Sequence, residues 1–178
     1  LHIGALSLIP GLLAGLEALD TTDPATLIEH AMSLVRATHD HEYAIRAAAD
    51  LARILIHITM GTPIREVLSE LPIAGVSVAK FMNWADLPDR VVVGEKLSTA
   101  CYLPESFVAS LYFAWKYHED FSLSLLQNAK AGGDNCHRAV VIGSILGIGC
   151  GVPKKWLRGL LAMEDLRCDL RGVTGLGL

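Results

Sequence analysis

The sequence predicts an all-α fold, a compact multi-helix bundle, and three observations carry that expectation. Apolar residues recur at spacings of three and four through several segments. Segments open repeatedly on a polar cap followed by proline, which is how helices start. No alternation of strand and helix patterns and no repeat period is visible.

Leu6 to Leu19 mixes Leu, Gly and Ala around Pro10 and Gly11, which suggests a buried helix broken or started near Pro10. Asp23-Pro24 supplies a cap and a first-turn proline for a helix running to about Arg36. Its positions Leu27, Ile28, Ala31, Leu34 and Val35 form an amphipathic stripe. Thr38-His39-Asp40-His41 then separates it from a helix over Glu42 to about Met60, with Asp40 as the expected cap and Gly61 as the residue that ends it. Ile45, Ala48, Leu51, Ala52, Leu55 and Ile58 mark its inner face, so the two helices make a hairpin.

Thr62-Pro63 opens a short helix over Ile64 to Leu71, with Glu66 on its first turn, where a negative charge is favoured. Between Pro72 and Tyr102 the pattern weakens. Val76 to Trp84 reads as helix, and Val91-Val92-Val93-Gly94 is too short and isolated to argue a sheet. Pro104 opens a helix through His118, and Asp120 to Lys130 is another. Within Gly132 to Gly151, Ala139, Gly143, Gly147 and Gly151 recur every fourth residue. Such a small-residue stripe is expected to let neighbouring helices approach the central helix closely. Pro153 precedes a last helix, Lys154 to about Leu170, and 172–178 reads as a loose end.

With 178 residues the chain is read as one domain over 1–178. Its 52% hydrophobic content and mean hydropathy of +0.40 raise the question of a membrane span. The longest apolar run, Ala139 to Val152, is closed off by Arg138 and Lys154 and falls short of the ~20 residues a span needs. The net charge of -4, with Lys and Arg scattered, gives no footprint for nucleic acid. Leu1 opens directly on apolar sequence without Met or a basic region, so no signal peptide is expected and an upstream part is expected to be missing. Cys101, Cys136, Cys150 and Cys168 show no Cys-x-x-Cys spacing and point to reduced thiols in a cytoplasmic protein.

Chemistry is expected at the start of the glycine-rich stretch. Gly132 and Gly133 can take backbone conformations barred to other residues, and Asp134 or Asn135 can cap the helix that follows. That helix end carries Asp134, Asn135, Cys136, His137 and Arg138 and can receive an anion or, with ligands from elsewhere, a metal. Capping alone accounts for Asp134 or Asn135 equally well. His39 and His41 flank Asp40, but no third ligand is indicated and a capped corner suffices; His2, His30, His57 and His118 read as ordinary positions. Neighbouring Cys136 and His137 point about 100° apart on a helix, so they do not activate one another. No Gly-x-Ser-x-Gly elbow, Walker loop or dinucleotide fingerprint is present.

Pro104-Glu105-Ser106, Leu111-Tyr112-Phe113-Ala114, Asp120 to Leu126, Gly132-Gly133-Asp134, the glycine-rich helix and Val152-Pro153-x-x-Trp156-x-x-Gly159-Leu160 together resemble the C-terminal half of the ADP-ribosylglycohydrolase family. Gly4-Ala5 with Pro10 and Thr38-His39 are similar to its middle region. The resemblance implies an all-α bundle, here lacking its N-terminal part, that cleaves the glycosidic bond between ADP-ribose and an acceptor.

In that family two magnesium ions are held between an N-terminal Thr-Asp-Asp and a C-terminal Gly-Gly-Asp-x-Asp-Thr. Asp134 matches the first C-terminal acid. Cys136 stands in place of the second, His137 in place of the threonine, and Thr-Asp-Asp is absent. A thiol and an imidazole discriminate against magnesium. The resemblance makes Asp134 the metal or ribose contact, Gly132, Gly133, Asn135 and His137 the ligand-binding turn, and Arg138 a phosphate partner. The partner expected is ADP-ribose or an ADP-ribosylated acceptor, and a homo-oligomer is left open. The Gly-Gly-Asp-Asn-Cys-His-Arg form also looks like the branch containing the J-type crystallins, and the alternative is a non-catalytic structural or ligand-binding protein.

Overall fold

The computed structural model describes residues 1–70 and 77–163. Expectations on 71–76 and 164–178, including Cys168 and the loose end, lie outside the described residues, but the helix expected from Lys154 to about Leu170 already stops at Arg158, with Gly159 as its C-cap. A 3₁₀ turn, Ile3–Leu6, leads into α1, Ile9–Ala18. Pro10 sits in the first turn of α1, where its missing N–H is harmless, so proline starts this helix and does not break it.

α2, Pro24–Thr38, begins on Asp23, whose carboxylate accepts from the Thr26 N–H at 2.8 Å and the Thr26 hydroxyl at 2.6 Å. The Thr26 side chain, then its amide, holds the Asp23 carboxyl below the usual range. α3, Glu42–Thr59, is capped differently from expectation. His41, not Asp40, stands immediately before the first helical residue, and its Nδ1 accepts from the Tyr43 N–H at 3.2 Å. Asp40 lies one residue too early to reach an orphan amide. Gly61, with φ +94, ends the helix as its sequence suggests.

α4 (Ile64–Glu70) and α5 (Val78–Trp84) follow, then α6 (Asp89–Val91), which runs into a π turn over Val92–Lys96. That turn occupies the place where the sequence suggests irregular loop. α7 (Glu105–Lys116), α8 (Phe121–Ala131), α9 (Asn135–Gly149) and α10 (Lys154–Arg158) complete the order. Among the described residues there is no strand longer than one isolated bridge, and no helix is long and apolar enough to cross a membrane. The fold is an all-α bundle.

α2 packs along α3, and α9 lies in the middle, against α3, α4, α7, α8 and the 3₁₀ turn. The contact face of α9 is not the one its small residues suggest. Arg138, Val141, Ile142, Ile145 and Leu146 are buried, because a large apolar face removes more surface from water than a glycine stripe can. A methyl at Gly143 would touch nothing within 4 Å. Close approach falls at Gly147, where a methyl would stand 3.3 Å from Val152 and 3.9 Å from Phe121, and more tightly at Gly149, outside the stripe, where it would stand 2.5 Å from Ile64 Cδ1 on α4.

The device that matters for function is the segment 99–103, which joins the first residues of the chain to the start of α9. The Ile3 N–H donates to the Cys101 carbonyl at 2.8 Å and Leu103 N–H to Leu1 at 3.2 Å, pairing His2 with Tyr102. Two residues earlier, Thr99 offers its carbonyl to the Asp134 N–H at 2.9 Å. The N-terminal residues and the start of α9 are thereby held side by side.

Candidate functional site

Gly132 and Gly133 both have positive φ, +76 and +64, and a side chain at Gly133 would collide with the Thr99 carbonyl oxygen. Only this glycine pair lets the chain turn that closely under segment 99–103. Arg138 holds the turn from beneath. It is fully buried, with Nε donating to Asn128 Oδ1 at 2.9 Å and its terminal nitrogens to the Gly132 carbonyl at 2.6 Å and the Thr99 carbonyl at 3.5 Å. Burial pulls its guanidinium below the usual value, and Asp134 partly offsets this. The structure thus places Arg138, expected as a phosphate partner, under the turn and not at its mouth. Asn128 also donates to the Asn135 carbonyl at 2.8 Å, and the Asn135 side chain folds back on Gly133 at 3.1 Å.

Asp134 stands at the N-cap position of α9 but caps none of its amides. Its Oδ1 instead accepts from His137 Nδ1 at 2.8 Å. Its Oδ2 is buried and has no hydrogen-bond partner; His2 Nε2 lies 3.8 Å from it. The two imidazoles meet edge to face, with ring centres 4.6 Å apart. Among the described residues, His2, Asp134 and His137 are the group of His, Cys, Asp or Glu side chains that could hold a metal ion, with donor atoms all within 4.8 Å of one another. The rings are about 40% exposed, so the cluster opens to solvent.

His2 has no signal in its local sequence beyond standing two residues before Gly4, since its partners Asp134 and His137 lie more than a hundred residues away. It reaches the site because its Nδ1 accepts the Gly4 N–H at 2.8 Å, capping the 3₁₀ turn, while the pairing with Tyr102 fixes its backbone. Gly4 leaves room for this: a methyl there would stand 2.7 Å from His2 Nδ1 and 3.2 Å from His137 Cδ2. Cys136 is exposed, its Sγ turned toward Asn135 Oδ1 at 3.9 Å and outside the cluster. At the other corner, His39 Nδ1 pairs with Thr38 Oγ1 at 2.9 Å and His41 stacks on Tyr43.

A second carboxylate offers a contrast. Asp89 accepts from Lys116 Nζ at 2.8 Å, Tyr117 OH at 2.6 Å and Tyr112 OH at 3.1 Å, on the wall of a cleft that also carries Arg90, Gln127 and Lys130. Both phenols are pushed well above their usual value, by burial first and by Asp89 next. This network pins α6 to α7.

Magnesium prefers oxygen ligands in near-octahedral array. The cluster offers one carboxylate and two imidazoles, and the residue in the place of a second acid, Cys136, lies outside it. The donor set does not fit magnesium. In comparison with known proteins, the sequence model of the ADP-ribosylglycohydrolase family matches residues 4–175. No curated protein and no solved structure matches the chain.

Proposed function

The chain belongs to the ADP-ribosylglycohydrolase family, and on that premise we propose that the mouth formed by Gly132, Gly133, Asp134, Asn135 and His137, with His2 opposite, receives an ADP-ribosyl group. The observation that carries this reading is the state of Asp134. A carboxylate that is neither capping a helix nor fully paired, with one buried oxygen lacking a partner, is an acceptor held ready for a ligand donor such as a ribose hydroxyl. The start of α9, a helix of 15 residues, has no side-chain cap, and although the Asn135 N–H is taken by the Gly133 carbonyl, the helix end gives the same mouth a favourable field for the diphosphate. Arg138 supports this from below by fixing the carbonyls of Gly132 and Thr99, and so the turn that presents that helix end.

The activity that goes with this site is hydrolysis of an N- or O-glycosidic bond to ADP-ribose. Water adds at the anomeric carbon, the bond to the acceptor breaks, and the acceptor leaves carrying a proton. No magnesium step enters this reading. Isothermal calorimetry with ADP-ribose tests the binding half: saturable heat for the chain and none for Asp134→Ala is expected. Equal heats for both proteins would remove Asp134 from the site. Chromatography of ADP-ribose released from ADP-ribosylated arginine tests the catalytic half.

A further inference from the structure

We propose that His2, Asp134 and His137 form a two-histidine, one-carboxylate site for a divalent transition ion of the zinc, cobalt or iron(II) class. Donors bound to one ion at about 2.1 Å lie roughly 3 Å apart. His137 Nδ1 lies 2.8 Å from Asp134 Oδ1 and His2 Nε2 lies 3.8 Å from Asp134 Oδ2, with donor atoms of the three residues all within 4.8 Å of one another, so an ion would draw the rings inward by about an ångström to reach that separation. The buried Asp134 Oδ2 supplies an independent observation, because it faces His2 without a hydrogen bond and an ion between them would satisfy it.

Imidazole suits zinc, iron, cobalt and nickel far better than magnesium, and two imidazoles with one carboxylate leave open positions for water or a ligand hydroxyl. The exposed rim of the cluster lets those positions be reached. Asn128 and Arg138 brace the turn behind Asp134, as supporting residues do around metal ligands. Loading has one local consequence. His2 Nδ1 accepts the Gly4 N–H, so the ring proton sits on Nε2. Ligation through Nε2 shifts that proton to Nδ1 and frees the Gly4 amide.

The inference concerns the same mouth as the proposed ADP-ribosyl site and deepens that reading, but it is tested without nucleotide, so the two can fail separately. The full chain, stripped with chelator, is titrated with cobalt(II) by visible absorption and with zinc(II) and magnesium by calorimetry. One zinc or cobalt per chain is expected, bound about a hundredfold or more tighter than magnesium. His2→Asn, which keeps a side chain able to cap the 3₁₀ turn, and His137→Ala should each weaken zinc about tenfold or more. The Gly4 amide resonance should move on loading. Cys136→Ser and His41→Ala should bind as the unmodified chain does. Magnesium binding as tightly as zinc, zinc affinity unchanged in both His2→Asn and His137→Ala, or loss of zinc in Cys136→Ser or His41→Ala alone would overturn the proposal.

Discussion

Asp89 and Asp134 are both carboxylates at the start of helices, yet their surroundings differ in kind. Asp89 is nearly buried, and a lysine and two tyrosines saturate it from α7 and the residue that follows it. Asp134 has one oxygen paired to a half-exposed histidine and the other unpaired. A carboxylate whose bonds are all made holds elements together; one left incomplete is available to something that arrives.

The sharpest way to break this contrast is to remove each acid in turn. Asp89→Ala leaves Lys116 largely buried without its counter-charge, so a loss of about 3–5 kcal/mol in urea unfolding is expected. Gly133→Ala should cost about 1–3 kcal/mol, since it combines positive φ with a collision at the Thr99 carbonyl, and should weaken ADP-ribose binding because Asp134 moves with the turn. Asp134→Ala should change stability by less than about 1 kcal/mol, as only one partly exposed bond is lost, while abolishing binding.

The smallest effect is a control away from both acids. His118 is held below its usual pKa by burial first and Arg65 next, with Glu119 opposing. The unfolded chain therefore binds more protons just below the ordinary value, and stability falls as pH drops through that value toward the folded one. Urea melts at pH 7.5 and 5.5 should show a smaller difference for His118→Gln, with ADP-ribose binding untouched.

The helices were largely legible because their causes are local. Asp23-Pro24 and Gly61 act within a turn of where they stand, and the apolar spacing of α3 needs no knowledge of its partners. What fails is set by distant contacts. The small-residue stripe on α9 holds only at Gly147, which Val152 and Phe121 approach, while Gly143 faces open space and a bulkier face carries the other contacts. The Gly-Gly-Asp turn was readable from its own residues, including the two positive φ values it requires. His2 was not, since it joins Asp134 only through the pairing of residues 1–3 with 101–103. Asp89 carries no local signal for a like reason: its partners Tyr112, Lys116 and Tyr117 stand on α7 and the residue that caps it.

The division of labour between the two acids is tested most directly by thermal unfolding of Asp134→Ala and Asp89→Asn with and without saturating ADP-ribose. Asp134→Ala should melt near the unmodified chain and show no ligand-induced rise, whereas Asp89→Asn should melt lower and keep the full rise. A retained rise in Asp134→Ala together with a lost one in Asp89→Asn would contradict the account and place the ADP-ribosyl site at the Asp89 cleft.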